Sequence, residues 1–394
     1  MKFKIFKKDG KARTGEVFTD HGSFKTPAFT PVATLASVRS LDQQEMEKLG
    51  AEILLANTYH LHLRPGDKII KKFKGLHGFM NWDKPIITDS GGFQAFSLGY
   101  GMEHGVGKIA DNIFPGKKSV KDNLNKWAKI DDKGVSFKNP LNGDKVRLTP
   151  KISMQIQSNL GSDIIFAFDE CTSPLSDKKY TSEALDRTHK WAVECLKYYN
   201  KKQALFGIVQ GGAFRDLRIK SAKFIGGLKF DGFGIGGSLG KTKKDMVDIL
   251  KWVIPLLPEK KPKHLLGIGA VEDIFNSVAE GVDMFDCVAP TRWGRRGHLY
   301  LSPSEGGCFE NKFRMVISNS KFKEDKKPID STCGCYVCKN YSRAYLRHLF
   351  ISKEWTFYSL AAYHNEHFIL KLMENIRESI NEGNFDKLKK KWLE

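Results

Sequence analysis

"ALFGIVQGG", residues 204–212, is six apolar or small residues that end at a glutamine and two glycines. The run is too short for a helix and does not alternate between apolar and polar positions. Near-continuous runs of this kind suit strands buried on both faces, as in a parallel sheet covered by helices. Seven more, each bounded by turn residues, lie on either side of it: "AFTPVA" (28–33), "EILLANT" (52–58), "PIITDS" (85–90), "DIIFAFDE" (163–170), "GFGIGGS" (232–238), "HLLGIG" (264–269) and "DMFDCV" (283–288). Between most of them the spacing turns helical, as in "SEALDRTHKWAVECLKYY" (182–199) and "KKDMVDILKWVIPLL" (243–257). Eight strand–helix units predict an α/β fold, a parallel (β/α)8 TIM barrel.

A chain of 394 residues can hold such a barrel and an appendage. The alternation stops near 305, where a cysteine cluster follows. The expected division is a catalytic barrel over 1–305, with an N-terminal extension and a Gly- and Lys-rich insertion near 99–134, and a zinc-binding, helix-rich subdomain over 306–394 packed on the barrel.

That cluster is "STCGCYVCKNY" (331–341), which holds three of the seven cysteines: Cys333, Cys335 and Cys338. The chain shows no leading apolar signal segment and no apolar run near the roughly twenty residues that cross a bilayer. A cytoplasmic protein without a membrane partner is the expectation, and in that reducing setting close cysteines read as metal ligands before disulfides. Tetrahedral zinc needs a fourth ligand, for which His348, His364 and His367 are candidates. The alternative is a redox CxxC made by Cys335 and Cys338; Cys333 argues against it.

Net charge is +19, with lysines clustered at 71–74, 115–121, 321–327 and 387–392. A Lys-rich surface can be compositional, but neutralising phosphates is the usual reason for such an excess, so a polyanion partner is expected.

Catalytic groups of a barrel sit at the C-terminal ends of its strands. The polar and glycine residues found there are Asp89, Ser90, Asp169, Gln210, Gly236, Gly237, Gly267 and Asp286. A single Asp after a strand is commonly a turn former or helix cap. Three of them beside Gly-rich loops predict one mouth where a flat ligand can approach the backbone.

"TDSGGFQ" (88–94), "AFDEC" (167–171), "GIVQGG" (207–212), "GVDMFDCVAPTR" (281–292), "NTYHLHLRPG" (57–66) and the cysteine cluster occur in one order along nearly the whole chain. Together they resemble the tRNA-guanine transglycosylase (queuine tRNA-ribosyltransferase) family, in its bacterial form. The resemblance implies an enzyme of queuosine biosynthesis that exchanges guanine at the wobble position of GUN-anticodon tRNAs for a 7-deazaguanine by a covalent ping-pong route. It also implies a homodimer.

Carried over position by position, Asp286 in "MFDCV" would be the nucleophile, whose carboxylate traps the ribose as a glycosyl ester. Asp89 in "DSGG" would be the general acid/base. Asp169 in "FDEC" would accept hydrogen bonds from the purine edge, Ser90, Gln210 and Gly237 would complete the base pocket, and Phe93 and Leu266 would wall it. The base would be extruded from its stack to be reached. Asp283, three residues before the nucleophile, reads as structural, and Cys171 and Cys287 as small buried groups. Arg292 and Arg295 in "PTRWGRR" would bind flanking phosphates, the alternative being a solvated basic turn.

The family pattern C-x-C-x2-C, then twenty-five residues and a histidine, makes His364 the fourth ligand of one structural zinc. Past it, Phe368, Leu372, Ile376 and Ile380 form an apolar stripe, predicting a helix whose start the metal pins to the cysteine loop. His348 and His367 then read as surface or packing residues.

Two stretches depart from the resemblance. "GGSLGKT" (236–242) stands where bacterial members usually read "GGLAVGE", so a glutamate that supports recognition of the 7-substituent is missing. Lys241 would repel the ammonium of 7-aminomethyl-7-deazaguanine if turned inward, and Ser238 could serve the diol of queuine; the aminomethyl base is favoured, with queuine the alternative. The segment between "FSLG" (96–99) and "GVSF" (134–137) is longer than the family leads one to expect. Three rival readings carry less. A non-catalytic RNA-binding paralogue would not need all three aspartates, the archaeal branch commonly carries a further C-terminal region, and a zinc hydrolase or deaminase needs an open metal site.

Overall fold

The computed structural model of the protein describes residues 1–93, 128–240 and 242–394. It opens with an antiparallel sheet of β1 (Lys2–Asp9), β2 (Ala12–Thr19) and β3 (Gly22–Thr26). Each of the eight apolar runs then contributes a stave of a parallel barrel. The first run carries β4 (Ala28–Thr30) and β5 (Val32–Ala33), followed by β6 (Leu54–Ala56) and β7 (Ile86–Thr88). An antiparallel sheet of β8 (Ala128–Asp131), β9 (Gly134–Lys138) and β10 (Lys145–Leu148) intervenes before β11 (Ile164–Phe166), β12 (Ala204–Val209), β13 (Gly232–Ile235), β14 (Lys263–Leu265) and β15 (Met284–Asp286). Residues 128–134 of the insertion expected near 99–134 thus belong to this small sheet; most of its span, with the 115–121 lysines, lies outside the described residues, as does Lys241.

The barrel closes through its first stave. Pro31 has no N–H for a ladder and splits that stave in two. β4 pairs with β15 and β5 with β6, while the Pro31 carbonyl accepts the Leu55 N–H at 3.0 Å. Helices Lys178–Tyr198, Arg215–Gly226, Lys243–Val253 and Val271–Ala279 connect successive staves from β11 to β15.

The interior is filled by side chains, and glycines on β13 make room for them. A Cβ on Gly232 would lie 2.4 Å from the Phe206 ring, and one on Gly234 2.9 Å from Phe166. Val17 and Phe24 of the first sheet join Ala28, Leu55, Ile87, Phe206 and Met284 in one apolar cluster, so that sheet stoppers the lower end. Below the barrel Asp283 takes both its oxygens to Arg13, at 2.7 Å from Nε and 2.6 Å from Nη2, with both side chains buried. This is the structural role expected for Asp283.

After β15 come a short helix, Ala289–Arg295, a hairpin of β16 (His298–Tyr300) and β17 (Arg314–Val316), and the 28-residue helix Trp355–Glu382. That helix joins two cores. Phe357, Leu360 and Ala361 pack with Leu299, Ile317, Val337 and Leu346, while Phe368, Ile369, Leu372, Ile376 and Ile380 belong to the main core around the barrel. The predicted stripe is buried, but the helix begins at Trp355, nine residues before His364. The apolar contacts of Phe357, Leu360 and Ala361 extend it, and the metal-ligand candidate is a mid-helix residue instead of one at its start. Among the described residues no helix is long and apolar enough to cross a membrane.

Candidate active site and metal centre

The C-terminal ends of the staves surround a cavity of about 590 Å³. Asp89 and Ser90 follow β7, Asp169 lies just past β11, Gly236 and Gly237 follow β13, Leu266 follows β14, and Asp286 ends β15; all line the cavity, with Phe93 exposed at its rim. His60, Cys171, Cys287 and Arg292 are also in the wall. The three aspartates predicted from strand ends therefore do share one mouth.

Each carboxylate is held by donors from a neighbouring stave. Asp89 Oδ2 accepts the Asn57 side-chain amide at 2.6 Å and Oδ1 the Thr58 N–H at 2.8 Å. Asp169 Oδ1 accepts the Ser90 hydroxyl at 2.7 Å and Oδ2 the Gln210 Nε2 at 2.6 Å. Asp286 Oδ1 accepts from His264 Nε2 at 2.9 Å and from the Gly267 N–H at 3.0 Å.

Gln210 is buried, and its amide explains a neighbouring glycine. Gly237 has φ +76°, and a Cβ there would fall 2.0 Å from Gln210 Oε1. Backbone and amide can lie this close only without a side chain. Both loops are clamped from behind by the fully buried Arg218, which donates to the carbonyls of Val209, Gly212, Gly236 and Ser238 at 2.7–3.0 Å. Burial pushes its guanidinium down to about 10. Ser238 is buried, its hydroxyl accepts the Gly240 N–H at 3.3 Å, and it is not among the residues that line the cavity.

Arg292 and Arg295 lie on the helix after Asp286. Arg292 faces the cavity, whereas one terminal nitrogen of Arg295, Nη1, is buried without a hydrogen-bond partner among the described residues. Burial first, then Arg39, Arg292 and Arg296, push the Arg295 guanidinium below its ordinary value. An arginine group crowded by its own charge is relieved by an anion.

In the second core Cys333, Cys335 and Cys338 surround His364 Nδ1 at 3.9, 3.6 and 3.4 Å from their sulfurs. The four ligand atoms lie within 4.8 Å of one another, a candidate metal centre. The Nε2 of His364 lies 2.9 Å from the Tyr300 carbonyl, which assigns the proton to Nε2 and leaves Nδ1 to coordinate. His348 is exposed, while His367 Nδ1 lies 3.5 Å from Cys333 Sγ, beside the set.

Residues 8–394 match the family model described as queuine tRNA-ribosyltransferase. The chain belongs to that family. Membership makes it a glycosyltransferase of the queuine tRNA-ribosyltransferase type. It is 62% identical to a putative queuine tRNA-ribosyltransferase of Archaeoglobus fulgidus, over all of this chain and 99% of that one. It is also 43% identical to the queuine tRNA-ribosyltransferase of Fusobacterium nucleatum, over all of this chain and 97% of the other. The Bacillus subtilis queuine tRNA-ribosyltransferase is 45% identical, over 97% of this chain and 92% of its own.

Reading strand ends missed three residues that shape this queuine tRNA-ribosyltransferase-type site: Asn57, Arg218 and His264. His264 left a local signal, as a polar residue opening an otherwise apolar strand run, and Asn57 left another, as the polar residue directly after β6. Arg218 looks like an ordinary helix residue until the chain is folded.

Proposed function

We propose that the protein exchanges guanine at the wobble position of GUN-anticodon tRNAs for a 7-deazaguanine, by way of an ester between Asp286 and the ribose. The observation that carries this reading is the convergence of Asp89, Asp169 and Asp286 on one cavity. Asp286 attacks the sugar carbon as guanine leaves, and Asp89 gives the departing base its proton and takes one from the incoming base. Asp169, on the cavity wall, accepts N–H groups of the purine edge. Gly237 presents backbone, and Phe93 and Leu266 enclose the flat ring. The crowded Arg292 and Arg295 support binding of the phosphates beside the extruded base.

The Cys3His set supports one structural zinc. Tetrahedral bonds of about 2.3 Å to sulfur and 2.0–2.1 Å to nitrogen set sulfur–nitrogen edges of roughly 3.6 Å, close to the separations found. Four protein ligands leave zinc no position for a reactive water. On this reading residues 1–305 are the catalytic barrel and 306–394 the zinc-bearing subdomain. A homodimer is supported by exposed aromatics of that subdomain, among them Trp355 at 86%. The enzyme acts in the cytoplasm, where tRNA is.

The base favoured is 7-aminomethyl-7-deazaguanine. The deciding assay supplies purified protein with guanine-labelled GUN tRNA and each base in turn. Release of label by the aminomethyl base with the higher kcat/KM is expected. A preference for queuine of about tenfold, or 1.4 kcal/mol, overturns the base choice, and release by neither overturns the function. In the same assay tRNA affinity should fall steeply with salt. Changing Arg292 and Arg295 together to alanine should flatten the log–log salt slope by roughly 1–2, and an unchanged slope would remove them from the RNA contact.

A further inference from the structure

The interior of a barrel stave is a place for apolar side chains, yet His264 occupies one on β14 and is wholly buried. Its ladder partners are Gly234 on β13 and Met284 on β15. Met284 belongs to the interior cluster, and Asp286 follows two residues later on the same face of β15. His264 therefore stands one layer below Asp286 on the adjacent stave, which is how its Nε2 comes to lie 2.9 Å from Asp286 Oδ1. Phe166 and the His264 ring meet edge to face, with centroids 5.5 Å apart and planes at 80°. The other ring nitrogen, Nδ1, is buried and has no hydrogen-bond partner among the described residues. A buried polar group with one nitrogen unsatisfied is costly to keep where an apolar residue would fit, and it calls for an explanation.

We infer that His264 is a positioning residue for the nucleophile: as the Nε2–H tautomer, together with the Gly267 N–H, it anchors Oδ1 and so sets the plane of the Asp286 carboxylate. The inference rests on the covalent exchange proposed above and adds to it a group that never touches the substrate. A carboxylate acceptor requires the proton on Nε2, and the apolar surroundings of Nδ1 suit its bare lone pair better than a second, unpaired N–H. In the first half-reaction an Asp286 oxygen bonds to the sugar carbon as the bond from that carbon to guanine breaks. The electron pair of the broken bond leaves with guanine, which takes a proton from Asp89. In the second half a nitrogen of the incoming base bonds to the same carbon, the ester breaks, its pair returns to Asp286, and the N–H proton of the base passes to Asp89. Asp286 is thus an anion at the start and again as a leaving group at the end. A fixed donor on Oδ1 meets that charge both times without having to reorganise.

The test compares wild type, His264→Phe and His264→Gln in single- and multiple-turnover base exchange, with melting curves for all three. Phenylalanine keeps a ring in an apolar site and removes the donor; glutamine restores an N–H of similar reach. Expected for His264→Phe is a fall in kcat of about 10- to 100-fold, the size typical of a hydrogen bond to a charged group, with KM for tRNA and base unchanged and no loss of melting temperature. The trapped adduct should then form slowly, and His264→Gln should recover to within about tenfold of wild type. The inference is overturned if His264→Phe keeps its kcat within about threefold, if the glutamine variant is as slow as the phenylalanine one, or if activity and melting temperature fall together in both. Wild type that exchanges no guanine would sink the functional reading and this inference with it; active wild type with an unimpaired phenylalanine variant sinks this inference alone.

Discussion

Asp286→Ala is expected to lower base exchange by roughly four orders of magnitude or more, because on the proposed covalent route it removes the carboxylate that takes the ribose. The carboxylate ends β15 on the interior face and is held through Oδ1 by His264 and the Gly267 N–H. A protein–tRNA adduct that survives denaturation, trapped from wild type with a base analogue, should be absent from the variant. Stability should change little by comparison, since what is lost is the hydrogen bonding of one half-buried side chain at the cavity wall, worth about 1–3 kcal/mol. Binding of tRNA should persist, because the arginines beside the cavity are untouched. Exchange at the wild-type rate would remove the covalent mechanism. Asp89→Ala makes a useful contrast, as loss of proton transfer should slow both half-reactions while still permitting some adduct.

Cys335→Ser and His364→Ala are expected to lower zinc content, melting temperature and activity together. Metal binding in such a site is folding free energy, and losing it commonly costs more than about 4 kcal/mol, which corresponds to a fall in melting temperature on the order of 10 °C. The path from the metal to the active site is the helix Trp355–Glu382. His364 lies in its middle, its upstream residues pack in the smaller core, and its downstream residues Ile369, Leu372 and Ile376 pack against the barrel. Asn365, beside His364, donates from Nδ2 to the carbonyls of Pro290 and His298, at the two ends of the segment that carries Arg292 and Arg295. Loosening the metal lobe should therefore disturb the arginine helix before it reaches the aspartates. A metal-free protein that stays folded but inactive, and recovers on adding zinc, would instead point to a metal taking part in the chemistry.

The barrel was legible in the sequence because its staves are buried on both faces, so each shows as an apolar run that local composition exposes. "DIIFAFDE" and "ALFGIVQGG" became β11 and β12 with Asp169 and Gln210 just beyond their ends, where strand-end logic looks for them. The C-terminal helix was legible too, as a stripe repeating every four residues, but its first turns pack in another core and lie outside that stripe. Ser238 is a position whose surroundings only the fold shows. Its residue type suits a ligand, yet the buried turn that Arg218 ties down uses the hydroxyl for its own backbone.

What the sequence by itself determined is the set of eight barrel staves, their order, the residues that end them, and the cysteine spacing. These are consequences of periodicity and short-range geometry, which act over a few residues. Which donor meets which carboxylate was decided only by the tertiary structure. Ser90 reaches Asp169 across 79 positions, Gln210 reaches it across 41, and His264 reaches Asp286 across 22. Those meetings depend on the register of neighbouring staves, since shifting a strand by one residue turns each side chain to the opposite face. The register in turn follows from closing the whole cylinder through the broken first stave at Pro31, a condition that all eight staves must meet together and that no single stretch of chain contains.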